Sequence, residues 1–171
     1  MNDPSGVGAG AGGCSTGARS RRKGKHGELE ACRELEAVTR VKWRRTAQRW
    51  GKAKADVEPA DGGIGIHVEV KRYGAGLTWW NRRAERQVLC LAGETYFAQL
   101  RHLKLVSEQL QLPELAPRCA LAERWLTQAT RDAEPGIVPL VVCRTDDAEW
   151  LVAWHYRDDD RLTAILREVV R

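Results

Sequence analysis

Residues 53–73 read AKADVEPADGGIGIHVEVKRY, and the fold turns on how this stretch is read. With a period of two, Ile64, Ile66, Val68 and Val70 share one face of a strand, while His67, Glu69 and Lys71 share the other. Asp61-Gly62-Gly63 is a turn signal, and Ala55 and Val57 begin another alternating run before it. A reversal between Gly62 and Gly63 sets Asp56 opposite Glu69. Pro59 makes that hairpin imperfect, because proline cannot donate to a ladder.

Two carboxylates and a lysine thereby meet on one sheet face. Adjacent carboxylates repel unless a cation neutralises them, and Mg²⁺ favours a few carboxylate oxygens together with waters and phosphate. A lysine two residues along can hold an attacking water or the charge growing on phosphorus. Such a constellation suits phosphodiester cleavage, provided a third acid arrives from elsewhere.

Residues 28–38, ELEACRELEAV, predict a helix. On a helical wheel Leu29, Ala31, Cys32, Leu35 and Val38 fill one arc, with Glu30, Arg33 and Glu34 away from it. Glu28 falls inside the apolar arc, where a carboxylate needs a partner. It is either the third acid or a first-turn glutamate favoured by the helix dipole.

The 171 residues form one domain with room for a hydrophobic core; residues 19–171 carry it, behind a flexible Gly/Ala-rich tail over 1–18. The net charge of +5 favours an anionic partner. Its distribution says more: between Val38 and Ala55 there is no acid, but seven cations from Arg40 to Lys54. The loop QRWGKAK interleaves basic groups with Trp50, which suits a nucleic-acid surface; equally, Trp50 could tuck into the core. Arg21, Arg22, Lys23 and Lys25 form a basic arm that could contact phosphates or simply be solvated, and Arg44, Arg45, Gln48, Arg49, Lys52 and Lys54 extend the basic surface. Five scattered cysteines with no CxxC pair suggest reduced thiols in a cytoplasmic protein, at the DNA of a bacterial or phage-infected cell. The sequence shows neither a membrane-spanning run nor the apolar core of a signal peptide.

Further along, Arg40 to Ala47 predicts the first strand. Residues 77–118 predict a helical insertion, Ala120 to Ala133 a helix, and Ile137 to Arg144 an apolar strand covered on both faces. Trp150 to Tyr156 predicts another strand and Arg161 to Val170 a closing helix. The sum is an α/β fold, a small mixed sheet flanked by helices. His67 could lie near the metal or merely line the sheet, and Trp79-Trp80 could stack on a base or pack an interface. Asp158-Asp159-Asp160 suits the start of a helix better than a metal site.

Lys23-Gly24-x-x-x-Glu28-x-Glu30, then Ala55-Asp56-Val57, then Glu69-Val70-Lys71 together resemble the PD-(D/E)xK nuclease superfamily, and more narrowly its phage and archaeal Holliday junction resolvase-like members. Pro139-Leu140-Val141-Val142 followed by Trp150-Leu151-Val152 is similar to the tail of the phage members, so about two-thirds of the chain is covered. The resemblance implies a restriction-endonuclease-like αβββαβ core and a Mg²⁺-dependent DNA endonuclease, with Mn²⁺ as a substitute. It implies Glu28, Asp56 and Glu69, with the Val70 carbonyl, as metal ligands, Lys71 as the catalytic lysine and Gln128 as a helper. It further implies branched DNA in recombination, repair or phage DNA processing, cut by a homodimer. Ala55 stands where proline is common, and the 77–118 segment is longer than expected, which bears on substrate more than on chemistry. The alternatives are a restriction-like or repair nuclease on duplex or flapped DNA, and a catalytically silent DNA-binding module.

Overall fold

The computed structural model describes residues 15–46, 54–73, 90–92, 94–103, 114–115, 119–146 and 148–169. Residues 1–14, the loop bearing Gln48, Arg49, Trp50 and Lys52, and Trp79-Trp80 lie outside them. Among the described residues, three helices, α1 (Ser15–Thr39), α2 (Ala120–Asp132) and α3 (Asp159–Val169), accompany one mixed sheet. Its strands are β1 (Trp43–Arg45), β2 (Val57–Pro59), β3 (Ile66–Tyr73), β4 (Cys90–Ala92), β5 (Thr95–Gln99), β6 (Glu114–Leu115), β7 (Val138–Thr145) and β8 (Leu151–His155). They lie in the order β1-β2-β3-β7-β8-β5-β4-β6.

The centre is the parallel pair β3 and β7, in register from Ile66↔Val138 to Tyr73↔Thr145. Alternation divides their side chains between two cores. Ile66, Val68, Leu140 and Val142 pack with Ala31, Cys32 and Leu35 of α1 and Leu162 and Leu166 of α3. Val141 and Cys143 pack on the opposite face with Ala122, Trp125, Leu126 and Ala129 of α2. Strand β7 is therefore covered on both sides, which is why it reads as an almost unbroken apolar run.

The hairpin register follows the turn chemistry: Val57 faces Val68, the pair adjoining Asp56 and Glu69. The turn carries Gly62 at φ 117 and Gly65 at φ 77, conformations that suit a residue without Cβ. At Gly65 a Cβ would also stand 3.3 Å from Ile165 Cδ1.

Two expectations are corrected. The helix expected over 28–38 runs from Ser15 to Thr39, so residues 15–18 of the expected tail and the basic arm are helical. Docking outweighs the poor helix propensity of Gly24 and Gly27. Gly27 is buried, and a Cβ there would lie 3.3 Å from Arg72 Cδ, so its bareness lets α1 cross close over the end of β3. The second correction concerns the insertion. Its described residues include strands that were not expected: β4, β5 and β6 extend the sheet to eight strands, and helical backbone is confined there to the 3₁₀ turn Leu100–His102 and the Leu103 that follows it. Thr95-Tyr96-Phe97 is β-branched and aromatic, and all five residues of β5 are buried beside β8.

Helix α1 ends at Arg40, which takes φ 58, where glycine is usual, while its N–H donates to Glu36 O at 2.8 Å. Thr39 ties that end to β1: its Oγ1 donates to Leu35 O at 2.7 Å and accepts from Trp43 Nε1 at 2.9 Å. At the other end of the chain, Asp159 opens α3 and accepts from Trp154 Nε1 at 3.0 Å, so that aspartate serves the fold. No helix among the described residues is long and apolar enough to cross a membrane.

Candidate active site

Asp56 sits at a bend just before β2, and its backbone is tied on both sides. Its N–H donates to Val68 O at 2.9 Å, and its carbonyl accepts from Thr46 N at 3.0 Å. The side chain then curls back over the edge of β3, where Oδ2 accepts from the Val70 N–H at 2.8 Å. In an extended strand a residue's N–H and C=O leave the same edge, so the Val70 carbonyl faces this edge too.

Glu69 stands on the α2 face of β3 and is 3% exposed. Its Oε2 accepts from Lys71 Nζ at 2.9 Å, and its Oε1 lies 3.4 Å from His67 Nε2. Lys71 Nζ also reaches Gln128 Oε1 of α2 at 3.4 Å. Period-two alternation thus aligns His67, Glu69 and Lys71, and α2 contributes Gln128 from across the sheet face. His67 is buried beside Glu69, a placement that fits both readings of it.

The environment separates the two carboxyls. Burial, and then the charge of Glu69, push Asp56 from an ordinary 3.8 up to about 6, against the Val70 N–H and Lys71. Burial would raise Glu69 as well, but His67 and Lys71 outweigh it and hold its carboxyl below the usual value. Glu69 is the settled anion and Asp56 the reluctant one.

Glu28 takes a different partner. Its Oε2 accepts from Arg45 Nε of β1, which answers the need of a carboxylate on the core side of α1. Arg45, expected on the DNA surface, is thereby turned inward. Glu28 nonetheless lines an open cleft of about 260 Å³ with Lys23, Val70, Lys71 and Arg72. Among the described residues no group of three His, Cys, Asp or Glu side chains is assembled to hold a metal ion. Glu28 is close enough for its charge to bear on Asp56, without completing such a group.

A second cleft of about 280 Å³ opens at the other end of β3, with Arg44, Lys54, Ala55 and His67 in its wall. Arg44 pairs with Glu58 at 3.0 Å, while Lys54 is exposed. Arg21, Arg22 and Lys25 are exposed on α1, and Lys23 pairs with Asp146 at 2.6 Å. Sequence reasoning missed Arg72 and Arg144, which meet Glu30 at 3.3 Å and 3.5 Å. The signal was present for Arg72: it shares the alternation of Val68 and Val70, and a charge on that core-facing side needs an acid.

Compared with known proteins, the chain matches no family model, no curated protein and no solved structure.

Proposed function

We propose that this protein is a Mg²⁺-dependent endonuclease that hydrolyses phosphodiester bonds in DNA, with branched DNA as the preferred substrate. The observation that carries the reading is the Asp56/Glu69/Lys71 group at one strand edge, where burial and mutual repulsion leave Asp56 short of a cation. The element order α1, β1–β3, then β4–β6, α2 and β7 supports the reading to the extent that β4–β6 are taken as an insertion into the αβββαβ succession that the sequence resemblance implies.

The donor set suits a hard divalent ion. Asp56, Glu69 and the Val70 carbonyl offer only oxygen, and Mg²⁺ is commonly held by one or two carboxylates, the rest of its shell being water and phosphate. When bound, the ion would neutralise the carboxylate pair and act as a Lewis acid on the phosphodiester. The chain's own groups do the positioning. The Val70 N–H fixes the Asp56 carboxylate, His67 and Lys71 fix Glu69, and Gln128 holds the Lys71 ammonium on the same face. Lys71 would orient the attacking water and stabilise the charge that grows on the phosphoryl oxygens.

A catalytically silent DNA-binding module is the second reading, and the Arg45–Glu28 pair favours it, because it satisfies the third acid without any metal. The test is cleavage of end-labelled four-way junction, flap, single-stranded and linear duplex DNA in Mg²⁺ or EDTA, with Lys71→Ala and Asp56→Ala alongside. Paired nicks in the junction, lost in EDTA and in both variants, support a junction nuclease acting as a dimer. Equal cutting of linear duplex moves the substrate and keeps the chemistry. DNA binding with no metal-dependent cutting of any substrate sinks the enzyme in favour of the module.

A further inference from the structure

The cleft beside Lys71 has cations that the cleavage chemistry does not use. Lys23 of α1 and Arg72 of β3 stand in its wall with Lys71, and Glu28 is the acid among its lining residues. Glu28 is already held by Arg45. The helix wall is bare at Gly24, where a Cβ would meet nothing within 4 Å, so the cleft has room on the side of α1. Gly27, packed on Arg72, holds that wall close to the strand end.

Both cations converge on one exposed carboxylate. Asp146, in the turn after β7, accepts from Lys23 Nζ at 2.6 Å and from Arg72 Nε at 3.3 Å. Arg72 Nη1 is held separately, 3.3 Å from Glu30 Oε2 and 3.0 Å from His26 Nδ1, so its guanidinium keeps its place if Asp146 leaves. The Lys23–Asp146 pair is cheap to open, since its side chains are 39% and 40% exposed and exposed ion pairs contribute little. A carboxylate bridging a lysine and an arginine occupies the position that a phosphate, with more oxygens and more charge, would take.

We propose that Lys23 and Arg72 form a second phosphate seat, one that holds a backbone phosphate of the DNA strand next to the bond being cut, and that Asp146 is the competing anion that fills it in free protein. The inference rests on the nuclease reading, and it assigns Arg72 and Asp146 roles that reading does not contain. Asp146 links α1 to the strand ends as well, so a purely structural clamp is the alternative to be separated.

The test is DNA binding by fluorescence anisotropy in EDTA over a series of salt concentrations, using a labelled four-way junction, with cleavage in Mg²⁺ measured on the same proteins. Lys23→Gln is expected to weaken binding about 3- to 10-fold and to lower the salt slope by about 1. Asp146→Asn is expected to tighten binding, the opposite sign from the loss of a clamp. Gly24→Leu, which alters no charge and removes a helix glycine, is expected to weaken binding by filling the cleft. A weaker Asp146→Asn protein, or Lys23→Gln and Gly24→Leu proteins that bind like wild type, overturns the seat while wild-type cleavage upholds the nuclease. Wild-type protein that binds no DNA overturns both. Inorganic phosphate that stabilises wild type but not Lys23→Gln against heat, with DNA binding equal in the two, overturns the backbone assignment and gives the seat to a free phosphate.

Discussion

Replacing Asp56 with Asn should stabilise this protein, and by an amount that depends on pH in a defined way. The carboxyl moves from an ordinary 3.8 to about 6 on folding, for reasons of burial first and the neighbouring Glu69 second. At about 1.4 kcal/mol per tenfold change in proton affinity, ionising it in the fold costs about 3 kcal/mol. Partial access to solvent brings the expected figure nearer ~2 kcal/mol. Between the two values the folded chain keeps a proton that the unfolded chain has lost, so stability falls as pH rises, and the cost is complete above about pH 6. An Asn at 56 keeps an oxygen for the Val70 N–H and carries no charge to ionise. Urea unfolding in EDTA should therefore show Asp56→Asn more stable by ~2 kcal/mol at pH 8, a gain of about 4–8 °C in Tm. The gap should close as pH falls towards 4. Millimolar Mg²⁺ should then raise the Tm of wild type and leave the variant unmoved, since a ligand stabilises only the state it binds. Equal stabilities at pH 8, or a gap that widens towards low pH, would refute the repulsion argument; equal responses to Mg²⁺ would refute the metal site.

Four other outcomes are expected. Lys71→Ala should lower the cleavage rate about 10²- to 10³-fold with little loss of DNA binding, read from single-turnover kinetics against anisotropy. Arg45→Gln should lower the metal-free Tm by freeing a part-buried Glu28, yet tighten Mg²⁺ binding measured by calorimetry, because the third acid loses its competitor. Thr39→Val should cost about 1–3 kcal/mol in urea unfolding, as the buried Trp43 Nε1 loses its acceptor. Arg40→Gly should raise stability by about 1 kcal/mol, because the helix ends there at φ 58, a conformation that costs a side chain about that much.

The legible parts of this chain were those fixed by local periodicity. Alternation along β3 placed His67, Glu69 and Lys71 together, and the glycine turn set the register, because a one-residue slip would have turned Glu69 into the apolar core of Val68 and Leu140. The start of α1 was not legible, because Gly24 and Gly27 argue against a helix locally and only the docking on Arg72 makes Gly27 fit. The strands in the described part of the insertion were hidden for a related reason. Residues such as Leu100 and Leu103 recur at helical spacing, but β5 gains its place by pairing with β8, some fifty-five residues away in sequence, and no local pattern reports that partner.

Glu28 marks where sequence logic was sound and still left the answer open. Its place in the apolar arc required a partner, and the fold supplies Arg45 from the strand that follows the helix. A carboxylate satisfied in this way adds to folding whether or not the protein cuts anything. Asp56 is the opposite case: its position is held by two backbone hydrogen bonds and a third from the Val70 N–H to its carboxylate, yet its charge works against the fold. Selection for stability alone would replace such a residue, as a neutral Asn would keep the bond to Val70. The strained member of the site, not the satisfied one, is therefore the better guide to function. The proposed cation at the edge of β3 rests on it.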